Sequence, residues 1–322
     1  MKIILSRKGF DATCGGVPSP ILPDGSLCPL PIPSDELPRL NEIRWRGEAL
    51  SSIVSAITRE RITPESGTHL DPDLQARARP RPRGWLPLFG QVDAAQTHLE
   101  NSGVGVGDVF LFFGWFRRTI QWNGCLSFER FAPDVHVIFG WLQVGRILHP
   151  TTERSAVPRW AAEHPHVRRS RTMSANNTLY VASTDLVVPL VPGRISGGGV
   201  FEQVSPLLTL TSQAGSRSLW RLPGWFYPVP GRTPLSYHTD ARRWSRDGTG
   251  CVLRSVGRGQ EFVLDCDHYP EASGWLRDMF AHVARHPAEE DGMPRPTFAT
   301  YRQRRTRAEW RQGSHSGRPP HT

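Results

Sequence analysis

The sequence predicts an α+β protein: a curved, partly barrel-like, mostly antiparallel sheet with flanking helices and long Gly/Pro-rich loops. Three observations support that class. Residues 109–116 and 136–148 are apolar, aromatic runs, each containing a Phe-Gly-Trp, and they lie about one hairpin loop apart, as paired buried strands do. Apolar residues recur at helical spacing in two other segments, around Leu50–Ile57 and Trp275–Val283. The 29 Pro and 30 Gly in 322 residues punctuate the rest into turns and loops.

Taken in order, Ile3 to Leu5 reads as a short buried strand opening the domain, followed by a loop to residue 33 with neither helical nor strand period. Residues 35–61 read as helical, with Ser34 or Asp35 as cap and Leu50, Ile53, Val54 and Ile57 on one face. Residues 63–82 are irregular. They contain His69-Leu70-Asp71 and then Arg77, Arg79, Arg81 and Arg83, a solvated loop or a track along phosphates. Residues 94–100 form a short helix, and 103–108 a turn into the first apolar run. A glycine inside each run (Gly114, Gly140) marks a bulge, a barrel corner or close approach of another backbone. Further on, 176–182 read as turn then strand. Residues 220–228 are an aromatic patch, core by preference and otherwise a stacking surface. Residues 252–255 and 261–264 read as a hairpin about Gly257-Arg258-Gly259, and 273–283 as a closing helix presenting Trp275, Leu276, Met279, Phe280 and Val283.

Residues 1–286 are read as one domain, with two β-rich lobes at about 1–150 and 151–286 as the finer division. Residues 287–322 are a basic tail. There Arg295, Arg302, Arg304, Arg305, Arg307, Arg311 and Arg318 face Glu309, a composition that predicts disorder.

Composition narrows the function. No apolar stretch is long enough for a membrane helix, and Ile3–Leu5 is followed at once by Ser-Arg-Lys, unlike a signal peptide, so the cytoplasm is expected. Five scattered cysteines without a Cys-x-x-Cys pair read as free thiols. Cys14, before Gly15-Gly16, is a candidate nucleophile only if something lowers its pKa. A net charge of +9 favours polyanionic partners, nucleic acid first. All but two of the 39 Lys and Arg are Arg, and the two lysines, Lys2 and Lys8, lie in the first eight residues. Gly197–Gly199 lacks the strand–helix context of a dinucleotide site. His164 and His166 could ligate a metal, but no third ligand is identifiable in the sequence, so no metal site is predicted. No cofactor is named by the sequence.

The opening loop concentrates the chemistry. Arg7 and Lys8 are candidate phosphate donors, and Asp11 or Asp24 the general base with His136 or His69 as partner acid. Gly15 and Gly16 would let backbone N–H groups approach a phosphate oxygen, while Pro23-Asp24-Gly25 is also a plain turn sequence. Ser19, Arg117 and Asn177 complete the candidate substrate- and phosphate-binding set.

Residues 103–148, with Gly-Asp, an apolar strand, a loop and a second kinked strand, resemble the PUA, ASCH and EVE barrels, which bind RNA or modified bases. A longer resemblance covers most of residues 1–285. Residues 1–11 (Met-Lys-Ile-Ile-Leu-Ser-Arg-Lys-Gly-Phe-Asp), Gly15-Gly16, 18–21, 23–25, 107–116, 136–140 and 176–180 resemble the third of the bacterial and phage nucleotide modification associated domains. That resemblance implies an α+β domain keeping company with DNA-modification or phage-conflict systems, and brings no agreed reaction or catalytic residue. Three readings follow: an enzyme acting on a nucleotide or a base in nucleic acid, a non-catalytic reader of modified nucleic acid, or an adaptor subunit of a modification complex. An enzyme should gather Lys8, Asp11 and a His into one pocket. A reader should show a basic groove with exposed aromatics.

Overall fold

The computed structural model describes residues 1–285 apart from 190, 192–193, 213–215, 258 and 260. The basic tail predicted at 287–322 lies outside the described residues. In chain order the elements are β1 (Lys2–Arg7), β2 (Ser19–Ile21), β3 (Ile32–Arg39), β4 (Arg44–Trp45), β5 (Glu48–Ala49) and α1 (Leu50–Thr58). Next come β6 (Gly67–His69), β7 (Leu88–Gln91), α2 (Asp93–Asn101), β8 (Val109–Trp122), β9 (Cys125–Phe128) and β10 (Val135–Leu148). The described residues continue with α3 (Pro165–Arg168), β11 (Thr178–Ala182), β12 (Gly198–Val200), β13 (Leu219–Pro223), β14 (Trp244–Asp247), β15 (Gly250–Arg254), β16 (Glu261–Asp265) and α4 (Glu271–Arg285). The architecture is α+β. No helix among the described residues is long and apolar enough to cross a membrane.

The two apolar runs become the spine. β8 and β10, 14 residues each, pair antiparallel from Val135↔Phe116 to Gln143↔Val109. Residues 109–114 of β8 are buried throughout, as befits a strand covered on both faces. Around the spine runs a sheet in the order β16-β1-β8-β10-β11-β7, with β12 on β10 and β2 and β9 on β8. β1 and β2 run parallel to β8, and the other pairings in this sheet are antiparallel. The path has two ends, so it is not a closed barrel. Its ends nevertheless meet through side chains: Gln91 Nε2 of β7 donates to Glu261 Oε1 of β16 at 2.6 Å. A flat sheet with strands about 4.8 Å apart would hold those residues far out of reach of each other.

Both glycines of the Phe-Gly-Trp repeats sit where another backbone closes in. A Cβ on Gly114 would lie 2.8 Å from the Lys8 carbonyl, and one on Gly140 2.9 Å from the Gly199 carbonyl. The β10 register shifts between Ile138 and Gly140, the bulge expected there. β8 turns into β9 through Asn123-Gly124, both with positive φ (50° and 78°), as a two-residue hairpin loop demands.

Three expectations change. The helix read at 35–61 begins only at Leu50. Residues 32–39 form a strand against β6, because Pro33 and Pro38 would each deprive a helix of an N–H. Leu50, Ile53, Val54 and Ile57 are buried as their spacing predicts, against Phe10, Leu30 and Leu40. The loop to residue 33 contains β2, paired with residues 116–118 of β8. Residues 252–255 and 261–264 are not hairpin partners: β15 pairs with β13 and β14 in a separate three-stranded sheet, and β16 pairs with β1. The aromatic patch is mostly core, with Trp220 and Phe226 fully buried. α4 closes the molecule, packing Trp275, Leu276, Met279 and Phe280 inward.

Candidate functional site

β6 ends on His69, and the chain turns at once, the Asp71 amide donating back to the His69 carbonyl at 3.0 Å. The turn buries Asp71, whose Oδ1 accepts from Gly90 N of β7 at 2.8 Å. α3 enters from the other side. Pro165 starts it and His164 caps it, the capping imidazole accepting from His166 N at 3.4 Å. Gly90 admits the His166 ring, since any Cβ there would meet its Cγ at 2.3 Å. Three imidazoles therefore converge on one carboxylate. His69 Nε2 and His166 Nε2 stand 3.8 and 3.7 Å from Asp71 Oδ2, and His164 Nε2 stands 3.4 Å from Oδ1.

The far ring nitrogens are fixed as well. His69 Nδ1 meets Glu36 Oε2 at 3.2 Å, and Arg169 steadies that carboxylate at 2.6 Å. His166 Nδ1 meets Asn177 Oδ1 at 2.7 Å, and the Asn177 amide is oriented by donating to the His166 carbonyl and to Thr151 Oγ1. Burial resists ionisation of Asp71, but the imidazoles of His164, His69 and His166 outweigh it and hold the carboxyl well below its usual range. Burial likewise opposes charge on His69, yet Asp71 and Glu36 raise its pKa to about 9. Burial wins at His166, which falls to about 4 despite Asp71. One carboxylate is thus shared by a charged and a neutral imidazole, the divided arrangement expected where proton transfer is done. Asp71 also belongs to the wall of a cleft lined by Gly9, Leu30, Trp45, Leu70 and Phe139.

A second polar cluster lies on the opposite face of β7. Lys8 Nζ sits 3.0 Å from Glu261 Oε1 and 4.5 Å from the centroid of the Phe89 ring. Gln91 donates to the same Oε1. Glu261 Oε2 and Ser6 Oγ are buried and make no hydrogen bond. Strand alternation explains the division: Phe89 and Gln91 face this pair, while Gly90 between them faces Asp71 and His166.

The family model for nucleotide modification associated domain 3 matches residues 2–265. The chain belongs to that family. No curated protein and no solved structure matches it. Within this nucleotide modification associated domain, β1 to β16 and both polar clusters fall inside the matched residues, and α4 falls outside them.

The domain separates the residues that the opening sequence sets side by side. Arg7 donates to the Val256 and Gly257 carbonyls at 2.9 and 2.8 Å and lies over the Phe113 and Phe262 rings. His136 packs edge-on against Phe113, its Nδ1 accepting from Trp220 Nε1 at 3.0 Å. Burial first, then Arg7 and Arg217, drive its pKa down to about 3. Lys8 points to the other face, toward Phe89. Asp11 closes a turn, its Oδ1 accepting from Thr13 N, Thr13 Oγ1 and Cys14 N, with Gly15 and Gly16 at positive φ completing the bend. None of the hydrogen bonds and ion pairs described above joins Lys8, Asp11 and His136 to one another. Asp24 caps its own Pro-Asp-Gly turn through Ser26 N and pairs with Arg46. Ser19 is buried, accepting from Leu30 N, and Arg117 pairs with Asp134 at 2.7 Å. Of the candidate residues, His69 and Asn177 belong to the histidine cluster, Asn177 as a support for His166.

What the sequence conceals is the meeting of two pairs. His69-Leu-Asp71 and His164-Pro-His166 each place two donors at i and i+2, the spacing that keeps side chains on one side of an extended segment. That shared spacing is the one available signal for the site. Nothing local marks Glu261.

Proposed function

We propose that the protein is an enzyme of nucleotide modification, acting on a nucleotide or on a base in nucleic acid. The reacting group would lie in the Trp45 cleft beside Asp71, with His69, Asp71 and His166 as the reactive constellation. The convergence of three imidazoles on Asp71 at the wall of that cleft is the observation that carries this reading. Clustered ionisable groups with displaced pKa values beside a cleft are the physical signature of a candidate site for chemistry. Family membership supports the substrate class. Trp45 offers a ring face for a base, and the +9 charge favours a polyanion. The protein is expected in the cytoplasm, alongside other subunits of a modification system.

The test is nucleoside mass spectrometry on DNA and RNA from cells carrying the wild-type gene, Asp71→Asn, or neither. We expect a mass-shifted nucleoside with wild type alone. Identical profiles in all three would sink the enzymatic reading.

A non-catalytic reader is the second reading, favoured by the aromatics around β9. Trp122 and Phe131 are 65% and 89% exposed, and Arg130 lies over the Phe131 ring at 5.1 Å. It predicts that Trp122→Ala with Phe131→Ala weakens binding of single-stranded DNA at low salt, while Asp71→Asn leaves it unchanged. Cutting the chain before residue 287 should lower the salt dependence of that binding if the basic tail adds phosphate contacts.

A further inference from the structure

We propose that His69 Nε2, His166 Nε2 and Asp71 Oδ2 bind a divalent first-row transition-metal ion, with His164 Nε2 beside them at 3.4 Å from Asp71 Oδ1. The argument starts from where the protons are. A carboxylate accepts and does not donate, so His69 Nδ1, facing Glu36 Oε2, carries its ring proton. The Asn177 amide donates twice through Nδ2, which leaves its Oδ1 to accept and assigns the His166 proton to Nδ1. With Nδ1 protonated on both rings, the Nε2 position of each faces Asp71, and a bound metal ion takes the place of any proton there. Asp71 has one oxygen engaged by Gly90 N and the other, Oδ2, facing the two rings.

Two ring nitrogens and a carboxylate oxygen within 4.8 Å of one another repel unless a cation, whether a proton on His69 or a metal ion, lies among them. A proton can bridge only one pair at a time, and at 3.7 and 3.8 Å neither Nε2–Oδ2 pair is at hydrogen-bond length. A metal ion engages all three. Two ligand atoms, each about 2.1 Å from a tetrahedral ion, stand about 3.4 Å apart. The two Nε2–Oδ2 separations are a few tenths of an ångström longer, within reach of small side-chain adjustments. A fourth atom completes the case: His164 Nε2 is buried, makes no hydrogen bond, and faces the same carboxylate.

The surroundings are those a bound metal needs. Each ligating ring donates its other N–H to a fixed acceptor, Glu36 or Asn177, and this sets ring orientation and basicity. Two or three imidazoles with one carboxylate suit zinc, iron, cobalt or nickel, and disfavour calcium and magnesium, which take oxygen ligands. Three protein ligands also leave a position for water or substrate, and Asp71 adjoins the cleft.

The test uses the full chain, stripped with a chelator and titrated with Co(II), followed by visible absorption, and with Zn(II), followed by calorimetry. One equivalent of each should bind. Asp71→Asn and His166→Gln should abolish that equivalent, and Glu36→Gln should weaken it about 10- to 100-fold while folding normally by circular dichroism. His268→Ala, an exposed histidine elsewhere, should leave it unchanged. No stoichiometric uptake by wild type, or equal uptake by wild type and the folded Glu36→Gln and Asp71→Asn variants, would overturn the proposal. The outcome is separable from the substrate assignment. Uptake without a modified nucleoside removes only the substrate reading, and a modified nucleoside without uptake removes only the metal.

Discussion

Lys8 and Glu261 meet with 8% and 1% of their side chains exposed, so neither charge has water to fall back on. Removing one partner leaves the other buried and uncompensated, which costs about 3–5 kcal/mol. We expect Lys8→Met to lower the unfolding free energy obtained from urea titration by that order, and Lys8→Met with Glu261→Leu to recover most of it. Equal losses in the single and double variants would mean that the pair is not coupled. His136 supplies a pH test. Unfolded, it takes a proton near its ordinary value of 6.5, and folded only at about 3. Between those values the unfolded chain holds the extra proton, so stability should fall as pH drops from 6.5 toward 3. His136→Asn keeps an acceptor for Trp220 and cannot titrate. Its melting temperature should fall less steeply than that of wild type across this window, and parallel profiles would refute the assignment. The sequence singles out Lys8 and His136 as candidate catalytic residues. Their partners, Glu261 and Trp220, lie 253 and 84 positions away, and no local pattern names a partner at such a distance.

At the level of elements, legibility followed the range of the forces involved. β8 and β10 could be read because burial on both faces demands unbroken apolar runs, and α1 and α4 because a single buried face imposes helical spacing. A helix over 35–61 extends the spacing of Leu50 to Ile57 back across Pro38, where a strand pairing with β6 prevails. Gly257-Arg258-Gly259 resembles a hairpin turn in sequence, but β15 pairs with β13 and β14, because sheet partners are chosen by packing across the whole fold. The strand glycines give a direct test. Gly114→Ala and Gly140→Ala should each cost about 1–3 kcal/mol, because the new methyl meets a backbone carbonyl that cannot move aside. Gly274→Ala on α4, with nothing within 4 Å, should instead stabilise by about 0.5–1 kcal/mol. Thermal denaturation of the three variants decides it, and a stable Gly114→Ala would show that β1 and β8 have slack.

Across the whole molecule, the family match ends at residue 265 while the fold does not. α4 supplies Phe280 against Trp141 and Phe201, with centroids 5.3 and 5.7 Å away, and Trp275 against Phe226. A chain ending at residue 265 should therefore bind a hydrophobic dye and lose its cooperative melt, whereas one ending at 286 should melt as the full chain does. Retention of a sharp transition in the shorter chain would show that α4 is dispensable. The histidine cluster is assembled at this same scale, from β6 and the start of α3, which is why two ordinary-looking motifs revealed no third ligand.

β1 sits between β8 and β16, with Ile4 opposite both Phe110 and Val263. During synthesis this segment leaves the ribosome ahead of both neighbours, with β16 the later of the two. Until they emerge it presents an unclaimed row of amides and carbonyls to whatever strand comes near. A nascent or prematurely terminated chain should therefore associate with its own kind, and a chaperone that shields the amino-terminal residues should raise the yield of native protein.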